Sequence, residues 1–196
     1  MSCTETPTNA PLALSPHPSS PATAVRSLTA RVERRPGALA VTYVLEGDLE
    51  RLRIPAPAAP RMDWTLWQHT CFEVFLAAAD SAAYHEFNFS PSGEWGAFAF
   101  QRYREGSILD DPALAPDIAV ERGANRLELR ATVPLAALSP ALREAPLRIG
   151  LTAVIEAADG SQSYWALRHA GERPDFHHSD SFVLPLSRSL GEGAGG

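Results

Sequence analysis

Residues 84–100 read YHEFNFSPSGEWGAFAF, with aromatic and polar residues alternating on either side of a Pro-Ser-Gly turn. A period of two is the signature of a β-strand, whose successive side chains point to opposite faces of a sheet. The same habit recurs along the chain, in VRSLTARVER, ALAVTYVLEG, LERLRIP, TLWQHTCFEVFLAA, DIAVERG, RLELRATVP, LRIGLTAVIEA, QSYWALR and DSFVLPL. Turn chemistry separates these segments. RRPG precedes the second, Gly123-Ala124-Asn125 joins DIAVERG to RLELRATVP, and the Asp159-Gly160 pair precedes QSYWALR. Only residues 134–142, PLAALSPAL, suggest a helical turn. The pattern predicts an all-β protein, an antiparallel β-sandwich of jelly-roll or immunoglobulin-like type with about ten strands. No repeat with a period of roughly 20–50 residues is visible, which argues against a solenoid or propeller.

Residues 1–23 are rich in Pro, Ser and Thr without periodicity and read as a disordered tail; residues 188–196 read the same way, leaving 24–187 as one domain. The formal charge of −6 argues against a nucleic-acid partner, which calls for a concentrated basic face. No apolar run approaches the ~18 residues of a membrane span. The N-terminus lacks a basic region followed by an apolar stretch, so no secretory signal is expected and the cytoplasm is the expected location. Cys3 and Cys71 do not form a disulfide framework, and Cys71, within an apolar run, reads as a buried free thiol.

Alternation also assigns faces. Phe72, Val74 and Leu76 point one way and Cys71, Glu73 and Phe75 the other; Phe87 and Phe89 go inward, with Phe98 and Phe100 expected beside them, while Glu86 and Asn88 go outward. In RLELRATV, Leu127, Leu129, Ala131 and Val133 go inward and Arg126, Glu128 and Arg130 outward. One sheet is thus expected to carry Glu73, Glu86, Asn88, Arg126, Glu128 and Arg130 on its outer face. Such a face is ordinarily polar because it meets water, and Arg–Glu pairs commonly decorate it. Here the company of tryptophans points to a binding site. Trp67 lies six residues before Glu73, which on an unbroken strand places both on one face, and Trp165 falls in another strand. An aromatic ring covers the C–H face of a sugar, while carboxylates and amides take its hydroxyls.

Residues 169–180, HAGERPDFHHSD, concentrate histidines with Asp175 and Asp180. Adjacent His177 and His178 on a strand would point apart, so the segment reads as a polar loop and no metal is expected. No nucleophile elbow, phosphate loop, His-Glu-x-x-His or Cys-x-x-Cys motif is present, and catalysis is not expected.

The segments LWQHTCFEVFL, YHEFNFSPSGEW and YWALRHAGERPDFHHSDSFVLPL resemble the bacterial DOMON-like group related to family 9 carbohydrate-binding modules. The resemblance covers roughly residues 25–186. It implies a jelly-roll-like sandwich that binds a sugar or sugar derivative on a concave sheet face, without cofactor or catalysis. Trp67 and Trp165 would be the aromatic platforms, Glu73, Glu86 and Asn88 the polar contacts, and Arg126 or Arg130 further donors. Other DOMON relatives bind haem b between an axial Met and His, which here would be Met62 and His169, making an electron-transfer domain. A protein-interaction module without a small ligand is the remaining alternative.

Overall fold

A computed structural model describes residues 10–20 and 22–187. Within them the chain forms twelve strands, more than the ten expected. In order they are β1 (Leu12–Pro16), β2 (Val25–Arg35), β3 (Ala38–Gly47), β4 (Cys71–Ala78), β5 (Tyr84–Phe89), β6 (Trp95–Arg102), β7 (Glu105–Ile108), β8 (Asp117–Arg122), β9 (Arg126–Val133), β10 (Leu147–Glu156), β11 (Gln162–Ala166) and β12 (Leu184–Leu186). All pair antiparallel along the path β7-β6-β5-β4-β10-β11-β1-β2-β3-β9-β8, and β12 adds to β10. Residues 49–55 make no full strand: Leu49–Arg51 is a 3₁₀ turn, followed by a lone bridge from Leu52 to Ala157. Of the segment expected to be helical, Leu135–Ala137 is 3₁₀ and Pro140–Glu144 is α-helical. No helix among the described residues is long and apolar enough to cross a membrane.

The path folds into two layers because β1 changes partner along its length. Leu12, Ala13 and Leu14 pair with β2, whereas Ser15 and Pro16 pair with β11. This strand lies inside the stretch expected to be a tail. Its polar, proline-rich flanks hide a Leu-Ala-Leu core, and Leu14 is buried. Residues 1–9, including Cys3, and 188–196 lie outside the described residues.

The alternating residues of both layers meet in one core. Leu28, Leu39, Leu45, Leu127 and Leu129 come from the β1-β2-β3-β9-β8 layer, and Phe72, Val74, Leu76, Phe87, Phe89 and Ile149 from the other. The expected inward sets in β4, β5 and β9 therefore hold. Phe98 and Phe100 do not join them. The β5–β6 register sets Phe87 opposite Ala97 and Phe89 opposite Trp95, so Ala97 and Trp95 enter the core and Phe98 and Phe100 turn to the other face. Tyr43 is the one buried tyrosine whose hydroxyl crosses between layers, donating to the Glu73 carbonyl, with its ring tilted on Phe72.

A buried hydrogen bond of this kind stabilises by roughly 0.5–1.5 kcal/mol net. Tyr43→Phe is expected to lower the unfolding free energy by about that amount, as read from urea denaturation. An unchanged midpoint would mean that the bond adds nothing to layer packing.

Candidate functional site

The face of β4, β5 and β10 turned away from the core is neither core nor water. Strand register builds it. Glu73 faces Asn88 across the β4–β5 pair and Thr152 across the β4–β10 pair, while Glu86 sits opposite Phe75 and, on its other side, Phe98. On a solvated sheet these positions would be wet. Here Glu73 is 2% exposed, Glu86 5% and Asn88 1%.

Two loops exclude the water. The first, residues 61–69, runs beside β6: Asp63 N–H donates to Trp95 O, Trp95 N–H donates to Arg61 O, and Met62 bridges Trp95. It then drops Leu66 onto Cys71 and Val154. The second, residues 169–182, brings Phe176, His177 and Phe182 onto Phe75, Tyr84 and Phe100. Each loop seats on a glycine. A Cβ on Gly96 would stand 2.7 Å from the Asp63 carbonyl oxygen, and one on Gly150 would stand 2.9 Å from the Phe182 ring. Glycine inside a strand marks such close approach.

Beneath the loops the polar groups are partly matched. Glu73 accepts from the Cys71 thiol at 3.4 Å and from Thr152 Oγ1 at 3.0 Å; Glu86 accepts from Asn88 Nδ2 at 2.8 Å. Asn88 Oδ1 is buried and has no partner among the described residues. His177 links the row to the surface. Its Nδ1 lies 2.9 Å from the Tyr84 hydroxyl, which itself accepts from Arg104 N–H, and its Nε2 is 3.7 Å from Glu86. Arg104 has φ of 55°, the left-handed region, and its guanidinium pairs with Asp175 at 3.0 Å while Tyr103 donates to the same carboxylate.

Burial sets the electrostatics. Removal from water pushes Glu73 above the usual carboxylate range, and the neighbouring Glu86 charge pushes it further; Glu86 is itself raised by burial. Burial also raises the Cys71 thiol and lowers His177 to about 4.

The architecture has counterparts among solved proteins. A protein of Bacteroides uniformis ATCC 8492, provisionally described as carbohydrate-binding, superposes with a TM-score of 0.68 at 15% identity, over 91% of this chain and 85% of its own. A family 9 carbohydrate-binding module from Caldicellulosiruptor kristjanssonii, solved with cellotriose, gives 0.56 at 10% identity over 93% and 86% of the two chains, and one solved with glucose gives 0.53 at 10% over the same shares. This chain shares their fold. No family model and no curated protein matches the sequence.

On this fold the residues picked out by sequence divide. Glu73, Glu86 and Asn88 come together as one row. Trp67 stands near one end of it, but by a different route than spacing implied. Leu66–Gln68 is a 3₁₀ turn and β4 begins only at Cys71, so alternation does not run from Trp67 to Glu73, and Trp67 is 53% exposed on the loop. Trp165 is not on this face. The register Trp165–Ala153–Phe72 points it into the core, where its indole N–H donates to Ser163. Its neighbour Tyr164 takes the outer position, packing with Cys71, Val154 and Leu66. Arg126 and Arg130 lie on β9, in the other layer, where they pair with Glu128 and Glu121.

The structure does not bring Met62 and His169 together. Met62 lies beside β6 and His169 follows β11, four strand steps away, or about 19 Å along the sheet at ~4.8 Å per step. His169 spends its Nε2 on the Ser15 carbonyl and stacks edge-on with His17. These positions do not fit two ligands of a single haem iron. Asp175, His177 and Asp180 also take separate partners, and no group of three metal-ligating side chains occurs among the described residues. Trp64, Tyr164 and Thr152 were not singled out by sequence, and His177, noted only as a residue of a polar loop, was not placed beside the row. An available signal was Gly96 and Gly150 inside strand patterns.

Two outcomes are expected. A carboxyl whose native value is raised binds its proton more tightly folded than unfolded, so stability falls as pH rises between the ordinary value, ~4.3, and the raised one. His177, lowered from 6.5, acts oppositely and only below 6.5. Above that pH the carboxyls act without it, so melting temperature is expected to fall from pH 6.5 toward 8, with Glu73→Gln flattening the decline; an equal slope in the variant would refute the shared burial of these acids. Gly96→Ala, which must displace the Asp63 carbonyl, is expected to destabilise by about 1–3 kcal/mol and to change the fluorescence of Trp64 or Trp67.

Proposed function

We propose that this protein is a non-catalytic carbohydrate-binding module, akin to family 9 modules, whose ligand stacks on the 61–69 loop at the margin of the Glu73–Glu86–Asn88 row. The observation that carries the reading is the exposure of Trp64 and Trp67, at 39% and 53%, on a loop fixed at both ends. The Asp63 carboxylate accepts from Thr65 N–H and Oγ1, each at 2.7 Å, and Leu66 is packed beneath. A folding chain gains by burying indole, so two rings held at the surface by an ordered turn suit a platform for a sugar ring. The shared fold with a module solved with cellotriose and with glucose supports the same reading.

Calorimetric titration with cellotriose and glucose tests it. Binding is expected, with Trp67→Ala or Trp64→Ala weakening it about tenfold, equivalent to ~1.4 kcal/mol, while circular dichroism stays unchanged. Trp165→Ala is expected instead to destabilise the fold by ~3–5 kcal/mol. Absence of heat with both sugars, or binding indifferent to both loop tryptophans, would sink the proposal.

A further inference from the structure

Where β8 and β10 end, an open cleft of about 430 Å³ is lined by Leu52, Arg53, Ile54, His69, Arg122 and Glu156. His69 follows Trp67 by two residues, so their Cα atoms lie within about 7 Å of one another. The Leu66–Gln68 turn sets both against the same stretch of sheet. Leu66 packs on Val154, and His69 meets Glu156 two residues further along β10. The exposed indole of Trp67 and the cleft are therefore neighbours.

The cleft is built around one buried acid. Glu156 is 6% exposed, and both of its carboxylate oxygens are occupied: Oε1 accepts from Arg53 Nη1 at 2.7 Å, and Oε2 lies 2.9 Å from His69 Nδ1. Arg53 also donates from Nη2 to the Ala158 carbonyl at 3.0 Å and from its main-chain N–H to the Glu156 carbonyl, so its guanidinium is held in place. Arg122, the last residue of β8, makes no side-chain hydrogen bond or ion pair among the described residues. Two guanidinium groups and one carboxylate thus line the cleft, a surplus of one positive charge even with His69 neutral. Acids around it are engaged: Glu121 pairs with Arg130, Asp63 accepts from Thr65 and pairs with Arg61, and Asp159 accepts from Ser161.

A neutral sugar leaves that surplus unmatched. A carboxylate matches it in charge and in shape, because a guanidinium presents parallel N–H groups to the two oxygens. Leu52 and Ile54 add apolar lining on which the ring that bears the acid can rest.

We infer that the sugar stacked on Trp67 is an acidic one, whose carboxylate enters this cleft and accepts from Arg122, with Arg53 held beside it by Glu156. The inference rests on the carbohydrate reading for the sugar ring and on the cleft alone for the carboxylate.

The test is calorimetric titration with glucuronate, glucuronamide and glucose. The amide keeps the shape of the acid and removes its charge. Glucuronate is expected to bind about tenfold tighter than glucuronamide, the scale of a charge-assisted hydrogen bond. Arg122→Gln is expected to bring the two level without moving the melting temperature, and Trp67→Ala to weaken all three sugars alike. Glucuronate binding no tighter than glucuronamide overturns the inference and, with glucose still bound, leaves the carbohydrate reading standing. A preference for the acid that survives Arg122→Gln also overturns it, since the charge is then recognised elsewhere. Glucuronate binding that is lost in Arg122→Gln but indifferent to Trp64→Ala and Trp67→Ala upholds the carboxylate cleft and refutes the sugar platform. No heat from any of the three sugars overturns both.

Discussion

Glu73 and Glu86 are carboxyl groups on the solvent side of a sheet, yet they are kept from solvent by loops laid across that sheet. Desolvating a carboxylate is among the costlier acts in folding unless it is paired or protonated. Here the groups are hydrogen-bonded by neutral donors and shifted toward the protonated form. Much of this face follows from that constraint. Leu66, Phe176 and Phe182 keep the row dry, and Gly96 and Gly150 let the loops come close enough to do so. Neutral His177 stands where a charged histidine would itself lose hydration.

The covering loops have different anchors, and the difference bears on function. The 61–69 loop is tied through main-chain bonds to Trp95 and by one leucine, which leaves two indoles facing outward. The 169–182 loop is held by aromatic stacking and by the Arg104–Asp175 pair. Its His177 joins Tyr84 at the margin to Glu86 inside. One end of the row thus offers apolar ring surface and the other a polar link to the surface. A face with aromatic groups beside a few converging polar ones is what small polar ligands use.

How far sequence alone reaches is seen residue by residue. Alternation placed Phe72, Phe87 and Leu127 in the core and Glu73, Glu86 and Asn88 opposite them correctly, because within one strand the face is a matter of odd and even. It failed wherever the argument crossed between segments. Phe98 and Phe100 were misplaced because the β5–β6 register sets which member of the second strand meets Phe87. Arg126 and Arg130 have the expected outward orientation, but in the other layer. Trp165 differs from Tyr164 by one position, and that one position exchanges core for outer face. Leu12–Pro16 was concealed by prolines and serines around three apolar residues, too few for a periodic signal.

The sequence by itself determined the class of fold, the parity of each strong strand and the outward orientation of Glu73, Glu86 and Asn88, since these are local consequences of side-chain alternation. Tertiary structure decided that the row is buried rather than wet, that Trp64 and Trp67 rather than Trp165 remain at the surface, and that the arginines stand apart from the acids. The reason is that pairing register, the sheet change at β1 and the seating of two loops on Gly96 and Gly150 join residues far apart in the chain. No local pattern encodes which distant segment will close over a given face.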